Sequence, residues 1–251
     1  MAWRDDLFEF AGIYGTKVRG CLAILEDRRR ETVKGLVTGG SRSSPQVAIV
    51  ARVAAARGLP CHVFCPCGEY GPQMLDAAAH GATIEQRKGG YANNLARWAT
   101  VHAKANPGWL EIPYGMQHPL PVQATERMAN SVLAVHTPSR IVVPVGSGTT
   151  FAGVLRAARR YGVPVVGVRV GGDPVKNISR WCPMWQTLGG AALVDGVDLE
   201  GRLVGYDTHV SATVLGSLWP GYIELDPVYE AKCVAWLLPG DLFWIVGKRA
   251  V

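Results

Sequence analysis

Apolar positions along the chain switch repeatedly between two spacings. Residues 17–30 carry Val18, Cys21, Leu22 and Leu25 at helical intervals, which predicts a helix. A short apolar run follows, Gly35-Leu36-Val37, and stops at Thr38-Gly39-Gly40-Ser41, as a strand entering a turn does. The Ala/Val-rich run from Pro45 to Arg57 predicts a second helix, with proline in its first turn where a missing N–H does no harm, and Gly58-Leu59-Pro60 ends it. Residues 61–65 read as a strand, Met74 to His80 as a helix, Gly81 to Ile84 as a strand and 91–105 as a helix. The pattern continues with a helix at 122–136, a buried strand from Arg140 to Val145, a helix at 150–161 and a strand from Pro164 to Val170. Such alternation predicts parallel sheets wound with right-handed crossovers, and Val/Ile runs without polar alternation suit strands covered on both faces. There is no internal repeat. The expected fold is α/β, with two parallel-sheet three-layer domains. A small inserted domain spans 36–128, and residues 1–35 with 129–251 form a large one.

The chain has 251 residues, 48% of them hydrophobic, which is ample for a sizeable core. Its 30 Gly and 16 Pro are dispersed, so they mark turns rather than a low-complexity segment. No stretch approaches the roughly 20 apolar residues of a membrane span. The opening Met1-Ala2-Trp3-Arg4-Asp5-Asp6 is polar where a signal peptide would be apolar, so a cytoplasmic protein with no membrane partner is expected. In that compartment Cys21, Cys61, Cys65, Cys67, Cys182 and Cys233 are expected as free thiols. Cys61-His62 with Cys65 and Cys67 has some look of a metal site, but the run fits a buried strand whose neighbours point to opposite faces, so no metal is expected. Net charge is +6, with local clusters at Arg28-Arg29-Arg30 and Arg159-Arg160. Most such charges sit on solvated helix faces, yet a basic surface favours polyanions and keeps nucleic acid open as a partner.

Four segments suggest chemistry. In Val142-Val143-Pro144-Val145-Gly146-Ser147-Gly148-Thr149-Thr150 a hydrophobic strand runs into a tight Gly-Ser-Gly turn that opens a helix. Glycines let the backbone approach an anion, the helix N-terminus offers unpaired N–H groups, and Ser147, Thr149 and Thr150 add hydroxyls. An ordinary β-to-α turn is the plainer alternative. The spacing is neither a dinucleotide fingerprint nor a Walker loop. Lys17 stands before a helix between Gly15 and Gly20. It is either a surface lysine or, if desolvated, a nucleophilic amine. Thr38-Gly39-Gly40-Ser41-Arg42-Ser43-Ser44 forms a second anion nest or a plain serine-rich cap, and its hydroxyls and Arg42 suit a substrate carboxylate. A lysine that forms an imine and a phosphate cradle together point to pyridoxal 5'-phosphate. Near the end, Asp226 before Pro227 caps a helix, and Glu230 is a candidate partner for a protonated pyridine nitrogen.

These pieces, in this order, resemble the tryptophan-synthase-β-like enzymes of pyridoxal phosphate (PLP) fold type II, and within them the 1-aminocyclopropane-1-carboxylate deaminase and D-cysteine desulfhydrase branch. The resemblance runs from Trp3-Arg4-Asp5-Asp6-Leu7 almost to the C-terminus. The branch's Gly-Gly-Asn-Lys-x-Arg motif reads here Gly15-Thr16-Lys17-Val18-Arg19, which implies that Lys17 carries the Schiff base. Its Gln-Ser-Asn loop, which holds substrate carboxylate and cofactor, falls on Gly40-Ser41-Arg42, with Arg42 in place of Asn. The phosphate loop falls on Gly146, Ser147, Gly148, Thr149 and Thr150. Leu225 to Lys232 matches the Leu-Asp-Pro-Val-Tyr-Glu/Thr-Gly-Lys segment with Ala231 for Gly, which implies an active-site Tyr229 and a pyridine-nitrogen partner in Glu230. Tyr206, in Val204-Gly205-Tyr206, aligns with a second active-site tyrosine. Three departures stand out: Arg42 itself, the missing strand and loop before the acidic segment, and Trp244-Ile245-Val246-Gly247 in place of the terminal Thr-Gly-Gly turn.

What the resemblance implies is a homodimeric PLP enzyme with its cofactor between two domains. It would form an aldimine with a small-molecule amino-acid substrate and break a bond at the α carbon, as a lyase or deaminase does. Arg42 and the basic surface admit an alternative, an amino acid attached to a modified DNA nucleobase and decarboxylated or eliminated there, as in viral DNA hypermodification. A non-catalytic cofactor- or anion-binding relative is the third expectation.

Overall fold

The computed structural model describes residues 1–28, 32–89, 91–183, 185–187, 190–197, 202–203, 210, 213–215 and 222–247. Along the chain come β1 (Ala2–Arg4), the hairpin β2 (Glu9–Phe10) and β3 (Ile13–Tyr14), α1 (Thr16–Asp27), β4 (Gly35–Gly39), α2 (Pro45–Ala56), β5 (Cys61–Pro66), α3 (Pro72–Ala79), β6 (Ala82–Arg87), α4 (Ala92–Ala105) and β7 (Trp109–Ile112). They continue with α5 (Pro119–Leu133), β8 (Arg140–Val145), α6 (Thr149–Tyr161), β9 (Val165–Arg169), α7 (Val175–Trp181), β10 (Ala191–Asp195), the pair β11 (Thr213–Leu215) and β12 (Tyr222–Glu224), a 3-10 turn at Glu230–Trp236, and β13 (Asp241–Ile245). The α/β alternation read from residues 17–170 is present, with ends shifted by a few residues. Helices α3 and α5 begin at Pro72 and Pro119, earlier than expected, because proline fits a helix's first turn.

Among the described residues two compact units divide the chain, one of residues 1–8 with 121–247, the other Glu9–Leu120. Helix α1 falls in the second unit, although the sequence boundary at 36 assigned it to the large domain. It packs on α2, β3 and β7, all in that unit.

The first unit is built on a five-stranded sheet in the order β1-β13-β8-β9-β10. Every pairing in it is parallel. Ile141, Val143 and Val145 bury into one face with Phe151, Val154, Leu155 and Trp244, while Val142 buries into the other with Val168, Phe243 and Ile245. That double burial is why β8 reads as an unbroken apolar run. A Cβ on Gly167 would lie 2.7 Å from the Phe151 ring, so the glycine lets α6 settle closely on the sheet. The acidic segment does have a strand before it, the three-residue β1 paired with β13. Buried Asp5 then accepts from Trp244 Nε1 at 3.2 Å. The C-terminal run that departs from the family pattern begins in the last two residues of β13, an interior strand of this sheet, and continues just past it.

The second unit has a four-stranded sheet ordered β6-β5-β4-β7, again with only parallel pairings. Every residue of central β4 is buried. Helices α2 and α4 both pack on it, and a Cβ at Gly39 would lie 2.6 Å from the Leu95 carbonyl oxygen of α4. The cysteines of the strand at 61–66 follow the strand reading. Burial pushes the Cys61 and Cys65 thiols up to about 12, which makes them poor ligands and nucleophiles. His62 Nε2 sits 3.0 Å from Glu85 Oε2, and its ring stacks on His102 at 4.4 Å between centroids. Among the described residues no helix is long and apolar enough to cross a membrane.

Candidate functional site

The turn between β8 and α6 is made by conformation as much as by composition. Gly148 is left-handed, with φ 88° and ψ −9°. A Cβ there would meet Ile178 Cγ1 at 2.8 Å, so a side chain is excluded twice over. Asn177 Nδ2 of α7 donates to the Ser147 carbonyl at 3.1 Å and fixes the turn from outside. Ser147 Oγ and Thr149 Oγ1 lie 3.3 Å apart. The cap position, Gly148, has no side chain to close α6, so backbone N–H groups gather at the positive end of a 13-residue helix. Gly146, Ser147 and Thr150 are half-buried, and Gly148 and Thr149 buried. The arrangement suits a phosphate.

The 3-10 segment of the same unit presents the second element. Asp226 Oδ1 accepts from the amides of Val228 at 2.8 Å and Tyr229 at 3.0 Å, so it closes the turn before the segment rather than forming the helix cap expected of it, since the cap position is Tyr229. Tyr229 is half-buried and Glu230 fully buried. Glu230 Oε1 accepts from the amides of Val246 (2.8 Å) and Gly247 (3.3 Å), just beyond β13. Its Oε2 is buried with no partner among the described residues. Burial first, then the nearby Asp226 charge, push the Glu230 carboxyl up to about 8, with the amide bonds opposing. A rigidly held carboxylate with one orphan oxygen fits a ring N–H, so the residues present fit the pyridine end of PLP as the cradle fits its phosphate. The amides of Val246 and Gly247 escaped the sequence reading. The apolar run ending in Gly247 was the available signal.

Three further candidates belong to the other unit. Lys17 is the second residue of α1 and is half-buried. The helix starts abruptly from Gly15, whose φ of 106° is left to glycine and whose carbonyl accepts from Val18 at 3.0 Å and Arg19 at 3.4 Å. Ser41 is half-buried in the β4–α2 turn, and its carbonyl accepts from Ser44 N at 3.0 Å. Ser44 Oγ in turn caps α2 through Gln46 N at 3.3 Å. Arg42 is exposed, and Nη1 lies 3.5 Å from the Glu69 carbonyl. Unlike Arg52, Arg140 or Arg156, it has no carboxylate partner among the described residues. Tyr206 lies outside the described residues. The candidates are thus divided, with Lys17, Ser41 and Arg42 in one unit and the cradle, Tyr229 and Glu230 in the other.

Residues 10–183 match a family described as pyridoxal-phosphate dependent enzyme. By structure the chain is similar to an ACC deaminase homologue, at 21% identity and TM-score 0.76, covering 98% of this chain and 83% of that one. It is similar also to an L-serine ammonia-lyase from Rhizomucor miehei, at 15% identity and TM-score 0.64 over 98% and 88%. A threonine deaminase isoform from Solanum lycopersicum gives 16% identity and TM-score 0.64 over 98% and 74%. These likenesses establish a shared fold, that of PLP fold type II. No curated protein matches by sequence.

Proposed function

The chain belongs to the pyridoxal-phosphate-dependent enzyme family, and from that premise we propose that it breaks a bond at the α carbon of a small amino acid, as deaminases and lyases do. The observation that carries this reading is the orphan Oε2 of Glu230, a buried carboxyl oxygen with no partner among the described residues, on a group pinned through Oε1 by two backbone amides. A protein that kept only an anion-binding turn would gain nothing from holding such a group in its core, where it is expensive.

In this reading the turn from Gly146 to Thr150 holds the cofactor phosphate with backbone amides and hydroxyls. Glu230 Oε2 accepts the ring N–H, and the charge it meets there offsets the burial that otherwise keeps the carboxyl protonated. Lys17 Nζ is the point of covalent attachment and, once released, carries a proton to or from the α carbon. Ser41 and the amides at the start of α2 take the substrate carboxylate, with Arg42 beside them. Tyr229, adjoining Glu230 and held through its amide by Asp226, borders the reacting atoms. When bound, PLP supplies an electron sink conjugated to the α carbon.

Exposed, carboxylate-free Arg42 favours a second reading of the substrate, an amino acid carried on a DNA nucleobase, whose phosphates would meet that cation. The test is a panel of free amino acids and amino-acid-modified nucleosides given to PLP-loaded protein, scored for ammonia, keto acid and carbon dioxide. Turnover of free amino acids supports the first reading. Turnover of the nucleosides alone, with salt-sensitive DNA binding, supports the second. A protein that binds PLP without visible absorbance and turns over neither is the non-catalytic relative.

A further inference from the structure

The segment that delivers Lys17 is gripped by a side chain with no part in the chemistry above. We infer that Arg52, held by Asp76, is a positioning residue for Lys17 and acts through the hairpin β2–β3. This rests on the reading of Lys17 as the attachment point.

The hairpin is two residues long on each strand and turns through Ala11 (φ 53°) and Gly12 (φ 71°). That is the geometry of a two-residue loop, and at Ala11 it is strained. A ribbon this short is not stable by itself. Glu9 Oε1 ties it internally by accepting from Gly12 N at 2.7 Å. Arg52 of α2 holds it from outside, with Nη1 3.4 Å from the Ala11 carbonyl oxygen and 3.5 Å from that of Gly12. The fit is close, since a Cβ on Gly12 would lie 2.9 Å from that nitrogen.

The guanidinium is not loose. Nε and Nη2 grip both oxygens of Asp76 on α3, at 2.9 and 3.1 Å from Nε and 2.5 Å from Nη2. The planar fork therefore spends one edge on a carboxylate and aims the remaining nitrogen at the turn. His80 Nδ1 backs the pair, 2.8 Å from the Asp76 carbonyl and 3.5 Å from its Oδ1. Arg52 is also a cation within a helix otherwise devoted to the core, flanked by buried Val50, Ala51, Val53 and Ala54.

No loop separates this device from the lysine. Strand β3 ends at Tyr14, Gly15 makes the corner, and Lys17 is already in the helix. A shift of the turn passes directly into the start of α1. Covalent attachment is sensitive to such shifts, because misplacing a reacting atom by an ångström costs large factors in rate.

The test mixes cofactor-free protein with PLP and follows the rate at which lysine-linked visible absorbance appears. It runs on wild type, Lys17→Ala, Arg52→Gln, Arg52→Lys, Asp76→Asn and a control, Arg87→Gln, which removes a surface ion pair to Glu85 on β6. Arg52→Gln is expected to slow the appearance roughly tenfold. It should speed hydrogen exchange at amides 9–17 in the cofactor-free protein and leave unchanged the affinity for pyridoxamine 5'-phosphate, which cannot link to lysine. Arg52→Lys and Asp76→Asn should fall between, and read the same quantity if Arg52→Gln does not fold. Wild-type rates in the Arg52 and Asp76 variants, alongside lost absorbance in Lys17→Ala, overturn the clamp alone. Retained absorbance in Lys17→Ala overturns the reading of Lys17 and the clamp with it.

Discussion

The two turns that follow central parallel strands, Gly146–Thr150 after β8 and Gly40–Ser44 after β4, solve the same backbone problem differently. Both lead a buried strand into a long helix and leave amides at its N-terminus. The first contains no charged side chain, depends on one left-handed glycine, and is pinned by Asn177. The second closes its own helix with Ser44 and carries Arg42 outward. An amide cradle with an open cap suits a dianion that stays for the life of the enzyme. A turn already capped by its own serine, with an exposed long cation beside it, suits a group that comes and goes. The difference teaches that anion-binding turns should be read by what completes their helix cap rather than by their glycine count.

The largest expected effect concerns the permanence of the cofactor half. Glu230 titrates near 8 in the folded, cofactor-free protein against an ordinary value of 4.5. Between those values the folded state holds a proton that the unfolded chain has released. Its stability contribution is complete below about 4.5 and is lost as pH rises to about 8, on the order of a few kcal/mol in all. Thermal midpoints of cofactor-free protein should fall across that window, and Glu230→Gln should flatten the fall. A wild-type midpoint that rises with pH there would contradict a preformed, protonated Glu230.

Next in size is Gly148→Val. Strain at positive φ and the contact with Ile178 together should weaken PLP affinity by roughly a hundredfold, about 3 kcal/mol, read by cofactor titration. Ser41→Ala should leave that titration unchanged and instead raise KM for the amino acid by roughly tenfold, the worth of one hydrogen bond to a charged group. Equal losses of cofactor affinity in both variants would erase the distinction between the turns.

The smallest effect sets the second unit against the first. His102 is pushed down by burial and by the adjacent His62, with Glu85 opposing. The unfolded chain then binds a proton that the folded protein resists, so this contribution is complete above about 6.5 and is lost as pH falls. The fall of Tm on the acid side should be shallower in His102→Phe than in wild type. Its direction is opposite to that of Glu230, and a common direction would show that one of the two environments is misread.

Much of this was legible because period and composition were strong. Strands β4, β5, β8 and β9 are apolar runs closed by turn residues, and Gly146–Thr150 announces itself by glycine spacing. What escaped is what local pattern cannot encode. Strand β1 is only three residues long, and its pairing with β13 joins residues more than two hundred positions apart. The hairpin β2–β3 is too short to show a period. Helix α1 joined the second unit through packing on α2 and β7, which no boundary signal marks. Nothing in the sequence around Arg52 marks it off from a solvated charge, and its use emerges only once Asp76 and the hairpin carbonyls surround it. The amides of Val246 and Gly247 belong to a segment first noticed for its departure from a pattern.

The central claim is that Lys17 is the covalent attachment point. Borohydride reduction of the PLP-loaded protein, followed by peptide mapping, tests it most directly. One phosphopyridoxyl group on Lys17 is the expected result. A label on another lysine, or no label on a protein that has bound PLP, would contradict it.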